Sequence, residues 1–369
     1  MKVLSIGSDK NLFYDQSAVR QRMIEYGSIT DELHIIVFCI KGEFSETRIS
    51  GNVYLHPTNS GSKLFYFWDA AAIGKKLIKD PDQWLIMTQD PFEAGLAGYL
   101  IKRKRNVRLQ IQVHGDFTSP YFARESFLSK IRISLATFLL PKADGIRVVS
   151  GRIKLSLKDY KLNKEPFIFP IYIDVKKIQA AEIKTDLHRK YPQFNFIILM
   201  ASRLAKVKNI DLAIEATSEI VKAYPKTGLI IVGRGEEENR LKSKIKNLAL
   251  GKNINIEPWN EDLASYYKTA DLFLLTSNHE GYGLTIPEAM AAGCPVIMTD
   301  VGCAGELVKD GFNGLVLPVN DKEALIKDIK RLISEPGLKE KLKVNGLETI
   351  KKLPTKEEYL DLYKNSWNI

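Results

Sequence analysis

Short apolar runs alternate with longer helix-like stretches along the first half of the chain. We interpret the apolar runs as strands at residues 2–7, 34–40, 52–58, 84–89, 108–115 and 145–150. The stretches between several of them predict helices at residues 16–25, 65–79, 93–105 and 121–139. Strands that alternate with helices of this length are typical of parallel, doubly wound sheets.

The second half repeats this rhythm. Its apolar runs are FNFIILMAS, GLIIVG, INIE, LFLLTS and PVIMTD, with helices expected near residues 210–224, 236–250, 263–269 and 287–292. Two α/β sheets in tandem suit a chain of 369 residues. The stretch PFIFPIYID (166–174) carries two prolines and is interpreted as the hinge between them. We therefore expect domains at residues 1–170 and 171–352, and a final helix at 353–369 that crosses back to the first domain.

Composition favours a soluble protein of the cytoplasm. The chain is 45% hydrophobic and 27% charged, as in ordinary globular domains. Its three cysteines, Cys39, Cys294 and Cys303, form no CxxC pair, which suits a reducing compartment. The amino-terminal apolar stretch is too short for a signal peptide, and no apolar run is long enough to span a bilayer.

The net charge of +10 is concentrated in the first half of the chain. Residues 1–170 contain 25 Lys/Arg and 17 Asp/Glu, whereas residues 171–369 contain 29 and 27. A basic first half indicates an anionic partner, which could be a phosphate group, a lipid surface or a nucleic acid. Scattered solvated lysines are the plainer explanation.

The most distinctive stretch is ADLFLLTSNHEGYGLTIPEAMAAGCPVI (270–297). Seven residues lie between Glu280 and Glu288, which flank a glycine-containing bend that follows a predicted strand. In open α/β sheets, ligands bind beyond the carboxyl ends of the strands. An ordinary strand–helix turn with two solvated glutamates is the alternative on spacing alone.

Two further loops follow strands of the second half. ASRLAKVKN (201–209) offers Arg203 and Lys208 as cations for a diphosphate. VGRGEEE (232–238) offers Gly233 and Gly235, which let a backbone come close to a nucleotide or simply form a tight turn. The dinucleotide fingerprint GxGxxG is incomplete because residue 238 is Glu, and no GxxxxGK[ST] motif occurs.

In this order, the basic loop, the GxG turn and the Glu-x7-Glu segment resemble the retaining glycosyltransferases of family four, which have the GT-B fold. In the first half, TQDPFEAGLAGYL (88–100) and LQIQVHGDF (109–117) are similar to the same family. The resemblance implies two Rossmann-like domains with the active site in the cleft between them. It also implies transfer of a hexose from a nucleotide-diphosphate sugar to a saccharide or lipid-linked acceptor, without a metal cofactor.

The resemblance implies a role for each matching position. His114 and Glu280 would contact the transferred sugar, Arg203 and Lys208 the diphosphate, and Glu288 the ribose hydroxyls. The remaining donor-binding positions would be Gly233, Gly235, Gly281, Tyr282, Gly283, Leu284 and Thr285. The sequence departs from the family at GSDKNLFYDQ (7–16), which lacks a usual Gly-Gly pair, at Ser202 in place of glycine, and at GCAGE (302–306).

Two rival functions stay open at this point. A nucleotide-sugar epimerase or hydrolase of related fold would need acid and base groups beyond His114 from the first domain. A nucleic-acid-binding protein is suggested by KRKRNVR (102–108), but that run lacks interleaved aromatic residues. Asp80-Pro81-Asp82 precedes a strand rather than following one, so we interpret it as a turn and expect no metal site there.

Residues 121–142 are predicted to form one helix with an apolar stripe and positive charges. The stripe comprises Phe127, Leu128, Ile131, Leu135, Phe138 and Leu139, with Arg124, Lys130 and Arg132 among them. The simpler expectation is that the stripe is buried against the first domain's sheet. The alternative is that the helix rests on an anionic membrane surface, which would make the protein peripheral at the inner face of the membrane.

Overall fold

The computed structural model describes residues 1–369 in two compact units. The first unit comprises Met1–Pro170 together with Thr355–Ile369, and the second comprises Ile171–Pro354. None of the helices combines the length and the apolar character needed to pass through a bilayer.

The first unit is built on an eight-stranded sheet. Its strands are β1 (Lys2–Gly7), β2 (Glu32–Val37), β3 (Thr47–Ser50), β4 (Val53–Pro57), β5 (Trp84–Thr88), β6 (Arg108–Val113), β7 (Gly145–Val148) and β8 (Phe167–Ile168). They lie in the order β3-β4-β2-β1-β5-β6-β7-β8, and only the β3–β4 pair is antiparallel. The strand order reverses between β1 and β5, which is the topological switch point of this sheet.

Helices cover both faces of this sheet. They are α1 (Ala18–Gly27), α2 (Tyr66–Leu77), α3 (Glu93–Arg105), α4 (Pro120–Glu125), α5 (Phe127–Leu139) and α6 (Gly151–Ser156). Short 3-10 helices occur at Lys10–Phe13, Lys63–Phe65, Pro81–Gln83 and Leu140–Lys142. The helix α3 packs against both α2 and α5, so these three form one layer. The helix α1 joins β1 to β2 in the opposite direction and covers the other face.

The expectation of a single helix over residues 121–142 is wrong. Ser126 adopts an extended conformation (φ −163°, ψ 165°) between α4 and α5, and its Oγ accepts a hydrogen bond from the Ser129 amide at 3.1 Å. Serine favours this N-cap role because its side chain satisfies an amide that the helix leaves without a partner.

The expectation of a wholly buried stripe on α5 is also wrong. Leu139 is fully buried, but Phe127 is 78% exposed, and Leu128, Ile131 and Phe138 are 48–50% exposed. The helix is therefore anchored near its carboxyl end, and its outer face carries large apolar side chains into solvent.

The first unit also contains the last helix of the chain, α15 (Lys356–Asn365). A capping box formed by Thr355 and Glu358 starts this helix. Tyr359, Tyr363 and Trp367 are buried within the unit. The Gln110 side chain of β6 donates a hydrogen bond to the Ser366 carbonyl.

The second unit has a six-stranded parallel sheet. Its strands are β9 (Phe196–Ala201), β10 (Thr227–Val232), β11 (Ile254–Glu257), β12 (Leu272–Leu275), β13 (Val296–Thr299) and β14 (Leu315–Leu317), in the order β11-β10-β9-β12-β13-β14. The neighbours β9 and β12 form the switch point, because the chain moves outward from them in opposite directions.

Amphipathic helices enclose this second sheet. They are α7 (Val175–Ala180), α8 (Leu187–Lys190), α9 (Ile210–Ala223), α10 (Glu238–Asn247), α11 (Leu263–Thr269), α12 (Thr285–Ala291), α13 (Lys322–Ser334) and α14 (Pro336–Ile350), with a 3-10 helix at Lys206–Lys208. In α9, Ile210, Ala213, Ile214 and Ile220 are buried at helical spacing, in one core with strand residues such as Ile198.

Candidate active site

Two loops meet at the switch point of the second sheet. One follows β9 (residues 202–209), and the other follows β12 (residues 276–284). Because β9 and β12 are parallel neighbours, both loops leave the same edge of the sheet. The Thr276 hydroxyl donates to the Lys208 carbonyl at 2.9 Å, and the Asn278 amide donates to the Val207 carbonyl at 2.8 Å. The basic loop and the Glu-x7-Glu loop therefore form one surface.

Glu280 and Lys208 are bonded to each other in this surface. Lys208 Nζ donates to Glu280 Oε1 at 2.5 Å, and the Ser277 hydroxyl donates to the same oxygen at 2.7 Å. The Lys208 side chain is 21% exposed and the Glu280 side chain is 14% exposed. The site thus presents a cation and an oriented carboxylate together, which can hold a phosphate group and sugar hydroxyls side by side.

Glycines allow the third loop, which follows β13, to pack on the bend beyond Glu280. Gly302 has a φ of +55°, and a Cβ added there would lie 2.5 Å from the Tyr282 carbonyl oxygen. The Cys303 amide donates to that same oxygen at 2.9 Å. Gly283, inside the bend, has a φ of +82°. The sequence placed GCAGE (302–306) where the family often has a Gly-Gly pair, but Gly302 was not among the predicted site residues and its packing against Tyr282 was not foreseen.

Glu288 lies in the first turn of α12, which begins at Thr285 directly after Leu284. The Tyr267 hydroxyl of α11 donates to Glu288 Oε2 at 3.2 Å. Burial raises the pKa of the Glu288 carboxyl, while the Tyr267 hydrogen bond opposes that shift. Tyr267 was missed by sequence reasoning because nothing in its local sequence separates it from an ordinary core tyrosine.

Gly233 and Gly235 bring the turn after β10 against the basic loop. A Cβ at Gly233 would lie 1.9 Å from the Ser202 carbonyl oxygen, and one at Gly235 would lie 2.2 Å from the Leu204 carbonyl oxygen. These two glycines therefore allow the backbone of the turn after β10 to pack closely against the loop after β9. Arg203, between these two contacts, has an exposed side chain.

His114 belongs to the first unit, where it follows β6. Its Nε2 donates to Gln112 Oε1 at 3.0 Å, and the Arg147 guanidinium donates to the same oxygen at 3.2 Å. Burial lowers the pKa of His114 to about 3, and the charges of Arg147 and Arg22 add to the effect. The imidazole is therefore neutral at pH 7, with its other ring nitrogen, Nδ1, able to accept a hydrogen bond.

Asp90 is a chemically notable residue that sequence reasoning missed. It follows β5, next to β6 in the sheet, and its Oδ1 accepts hydrogen bonds from the amides of Phe92 (2.8 Å) and Ala94 (3.2 Å). Burial raises the pKa of this carboxyl to about 6. A polar residue directly behind an apolar strand, as in TQDPFEAG, was the available signal.

The Asp80-Pro81-Asp82 segment lies at the other edge of the first sheet. Pro81–Gln83 form a short 3-10 helix immediately before β5, so both aspartates precede the strand that Asp90 follows. Across residues 1–369, no three His, Cys, Asp or Glu side chains converge in a way that could hold a metal ion.

Comparison with known proteins bears on this geometry. Residues 184–349, which include the loops after β9, β10, β12 and β13, match the family described as "Glycosyl transferases group 1". The second unit therefore contains a group 1 glycosyltransferase domain. The chain is 26% identical to the poly(glycerol-phosphate) alpha-glucosyltransferase of Bacillus subtilis, over 86% of this chain and 44% of that protein. It is 30% identical to the alpha-monoglucosyldiacylglycerol synthase of Streptococcus pneumoniae, over 69% of this chain and 60% of that protein.

The chain thus spans about half the length of these two curated relatives of the glycosyltransferase domain. Among solved structures, Anabaena HepE in complex with UDP-glucose superposes with a TM-score of 0.78 at 18% identity, covering 99% of this chain and 98% of that one. At this level of identity the likeness establishes the fold alone. The GT-B fold predicted from sequence, with two parallel-sheet α/β units, is confirmed.

Proposed function

We propose that this chain is a retaining glycosyltransferase that moves a hexose from a nucleotide-diphosphate sugar to a saccharide or lipid-linked acceptor. The observation that carries the proposal is the Lys208–Glu280 pair at the switch point of a group 1 glycosyltransferase domain. The HepE structure supports a nucleotide-sugar donor, since it contains UDP-glucose. The names of the two curated relatives specify alpha linkages, which a retaining enzyme forms from an alpha-linked donor.

In this proposal the two members of the Lys208–Glu280 pair bind different parts of the donor. Arg203 and Lys208 hold the diphosphate, and Glu280 accepts hydrogen bonds from vicinal hydroxyls of the sugar. Glu288, oriented by Tyr267, accepts from the ribose hydroxyls. The backbone of the loops after β10 and β12 surrounds the donor in this proposal. The residues concerned are Gly233, Gly235, Gly281, Tyr282, Gly283, Leu284 and Thr285.

The proposed catalytic roles follow from the charges that develop on the donor as its bond to the sugar breaks. As the bond to the diphosphate breaks, negative charge grows on the leaving phosphate and positive character grows on the sugar. Preorganised cations at the phosphate lower that barrier, so Lys208 and Arg203 serve where a metal would otherwise be needed. We propose a front-side attack without a protein nucleophile, in which a phosphate oxygen of the donor takes the acceptor's proton. His114, neutral at pH 7, is proposed to bond to the transferred sugar.

One observation favours a second candidate, a nucleotide-sugar epimerase or hydrolase. Asp90, with a pKa of about 6, and His114 follow neighbouring strands of the first sheet and could supply acid–base chemistry. Analysis of the products separates the two candidates. A hydrolase releases free sugar from the donor without an acceptor, and an epimerase yields a new nucleotide sugar, whereas a transferase forms a glycosylated acceptor.

Nucleic-acid binding through residues 102–108 has less support. Lys102 Nζ donates to Asp144 Oδ1 and Oδ2 at 2.7 Å, and the Arg105 guanidinium donates to the Lys75 carbonyl. These two basic side chains hold the carboxyl end of α3 in place, so they are not freely available for phosphate contacts.

A thermal-shift screen against UDP, GDP, ADP and their sugars tests the donor assignment. A nucleotide at a hundred times its dissociation constant should stabilise the protein by about 2.7 kcal/mol. Stabilisation by one nucleotide and its sugar identifies the donor. If no nucleotide raises the melting temperature, the proposed function is wrong.

A further inference from the structure

The outer face of the first unit carries a second exposed apolar cluster besides the one on α5. In the 3-10 helix Lys63–Phe65, Leu64 is 80% exposed and Phe65 51%, and in the first turn of α2 Trp68 is 58% exposed. Neither the core of the unit nor the candidate active site accounts for these side chains. A solvated polar surface is the ordinary arrangement for a helix end, so large apolar residues here call for a partner.

Both apolar clusters lie at the same end of one helical layer. The helices α2 and α5 flank α3, which packs against both. The strand β4 precedes α2 and the strand β6 precedes α4 and α5, and these strands run parallel within the sheet. Leu64 and Phe127 therefore both lie beyond the carboxyl edge of the sheet. Along α5, Phe127, Ile131 and Phe138 continue the apolar face over roughly 16 Å.

The positive charge of the first half is concentrated on this same layer. Residues 63–79, 93–105 and 120–142 together contain 12 Lys/Arg and 3 Asp/Glu. The rest of residues 1–170 contains 13 Lys/Arg and 14 Asp/Glu, which leaves no excess. The basic side chains border the apolar ones: Lys63 precedes Leu64, Lys130 lies on α5, and Lys142 Nζ lies 4.4 Å from the centre of the Phe138 ring.

An anionic bilayer surface matches this combination of features. Exposed aromatic and aliphatic side chains can enter the headgroup region, while basic residues of the layer other than Lys102 and Arg105, such as Lys63 and Lys130, contact lipid phosphates. A second copy of the chain fits less well, because two strongly basic layers would have to face each other. A nucleic acid fits less well too: the exposed rings of Phe65, Trp68 and Phe127 could stack on bases, but the exposed aliphatic side chains beside them, such as Leu64 and Ile131, could not.

We propose that the layer formed by α2, α3, α4 and α5 docks the first unit onto an anionic lipid surface, with Leu64, Phe65, Trp68, Phe127, Leu128 and Ile131 inserted among the headgroups. This goes beyond the proposed glycosyl transfer, because it concerns residues of the first unit to which no role in donor binding or sugar transfer is assigned. Docking would bring the protein to the place where a lipid-linked acceptor resides.

Co-sedimentation with phospholipid vesicles tests the proposal. The full chain should bind vesicles that contain phosphatidylglycerol at low salt, lose much of this binding at moderate salt, and bind poorly to pure phosphatidylcholine. Each basic residue at such a surface contributes about fivefold in partitioning, so Arg124→Glu with Lys130→Glu should reduce binding by about thirtyfold or more. Phe127→Ser with Ile131→Ser should also reduce it, by removing the inserted side chains.

Control variants place the same kinds of change on the second unit. Lys246→Glu with Lys252→Glu makes the same charge change at exposed positions, and Trp259→Ser removes a side chain that is 49% exposed. These variants should bind vesicles like the unmodified chain. Nucleotide-induced stabilisation, measured on every variant, shows that each is folded and tests the donor site separately from the membrane.

Three results would overturn the proposal. One is the absence of salt-sensitive binding to phosphatidylglycerol vesicles by the unmodified chain. Another is equal binding by the α4–α5 variants and the second-unit controls. The third is a change in oligomeric state on mutation of Phe127 and Ile131 without any change in vesicle binding, which would assign the apolar face to a second copy of the chain.

Discussion

At the scale of single residues, the Lys208–Glu280 contact spans 72 positions of sequence at a distance of 2.5 Å. A diphosphate and a carboxylate compete for the same ammonium group, so donor binding is expected to draw Lys208 away and leave Glu280 to the sugar hydroxyls. Sequence reasoning selected both residues as candidates. It could not show that they bond to each other, because the contact depends on β9 and β12 being neighbours in the sheet.

Replacing Glu280 should lower turnover, whereas replacing Glu288 should lower donor affinity. Glu280→Gln keeps an oxygen for Lys208 and Ser277 but removes the charge near the developing positive sugar. Turnover should fall by about a hundredfold or more, with nucleotide affinity retained. Glu288→Ala removes a contact made equally in the ground and transition states, so it should weaken donor binding and spare turnover at saturating donor. Steady-state kinetics with nucleotide titrations distinguish these effects, and unchanged values for both variants would contradict the assignment.

Asp90 should leave a signature in the pH dependence of stability. Its pKa is about 6 in the folded chain, above the ordinary 3.8. The protonated carboxyl therefore contributes stability below pH 3.8, and this is lost as the pH rises through 6. The loss corresponds to roughly 3 kcal/mol. Asp90→Asn cannot titrate, so the free energy of unfolding of the wild type relative to this variant should fall over that interval. A constant difference, measured by denaturant unfolding between pH 4 and pH 7, would show that Asp90 does not titrate as described.

At the scale of elements, buried parallel strands were predictable and edge elements were not. The run LFLLTS gave β12 and FNFIILMAS gave β9, because strands buried on both faces are continuously apolar. The edge strand β3 reads TRIS and is only partly buried, so no apolar run marks it. β8 is two residues long and lies within the stretch interpreted as a hinge. The break at Ser126 was hidden by apolar spacing that continues across it.

The same distinction holds for the candidate site. Charged residues in strand–helix loops were identifiable because chemistry limits which side chains can hold phosphates and hydroxyls. Tyr267 was not identified, and the contact of Gly302 with the Tyr282 carbonyl was not foreseen, because both depend on which loops and helices pack together. Such contacts are made between elements distant in sequence, so a local sequence pattern does not predict them.

The packing of the loop after β13 on the Glu280 bend can be tested with two glycines. Gly302 and Gly305 both have positive φ, +55° and +82°. Alanine at either position strains the backbone, but only at Gly302 would a Cβ meet a neighbour, the Tyr282 carbonyl 2.5 Å away, whereas Gly305 has open space. Both variants should lose stability by about 1–3 kcal/mol, and Gly302→Ala alone should also lose nucleotide-induced stabilisation. If a nucleotide stabilised the two variants equally, the loop after β13 would have no part in the donor site.

At the scale of the whole molecule, the last fifteen residues complete the unit in which the chain began. Helix α15 follows the second unit in sequence, yet Tyr359, Tyr363 and Trp367 lie in the core of the first. The contact reaches the end of the chain, where Ile369 occupies the space that a side chain at Gly145 of β7 would take. Gln112, which orients His114, also donates to the Tyr363 hydroxyl at 3.2 Å. The terminal helix thus supports both the core of the first unit and the setting of His114.

Replacing Trp367 should therefore damage the first unit and leave the second intact. Trp367 is 1% exposed, and Trp367→Ala should cost about 3–5 kcal/mol in the stability of the unit that contains it. Leu362, on α15 just before Trp367 but 41% exposed, provides the matched control, and Leu362→Ala should have little effect. Hydrogen exchange should show faster exchange in β6 and β7 for Trp367→Ala, while β9, β12 and nucleotide-induced protection of the Glu280 loop stay as in the wild type. Faster exchange in β9 and β12 as well would mean that α15 stabilises the two units as one cooperative body.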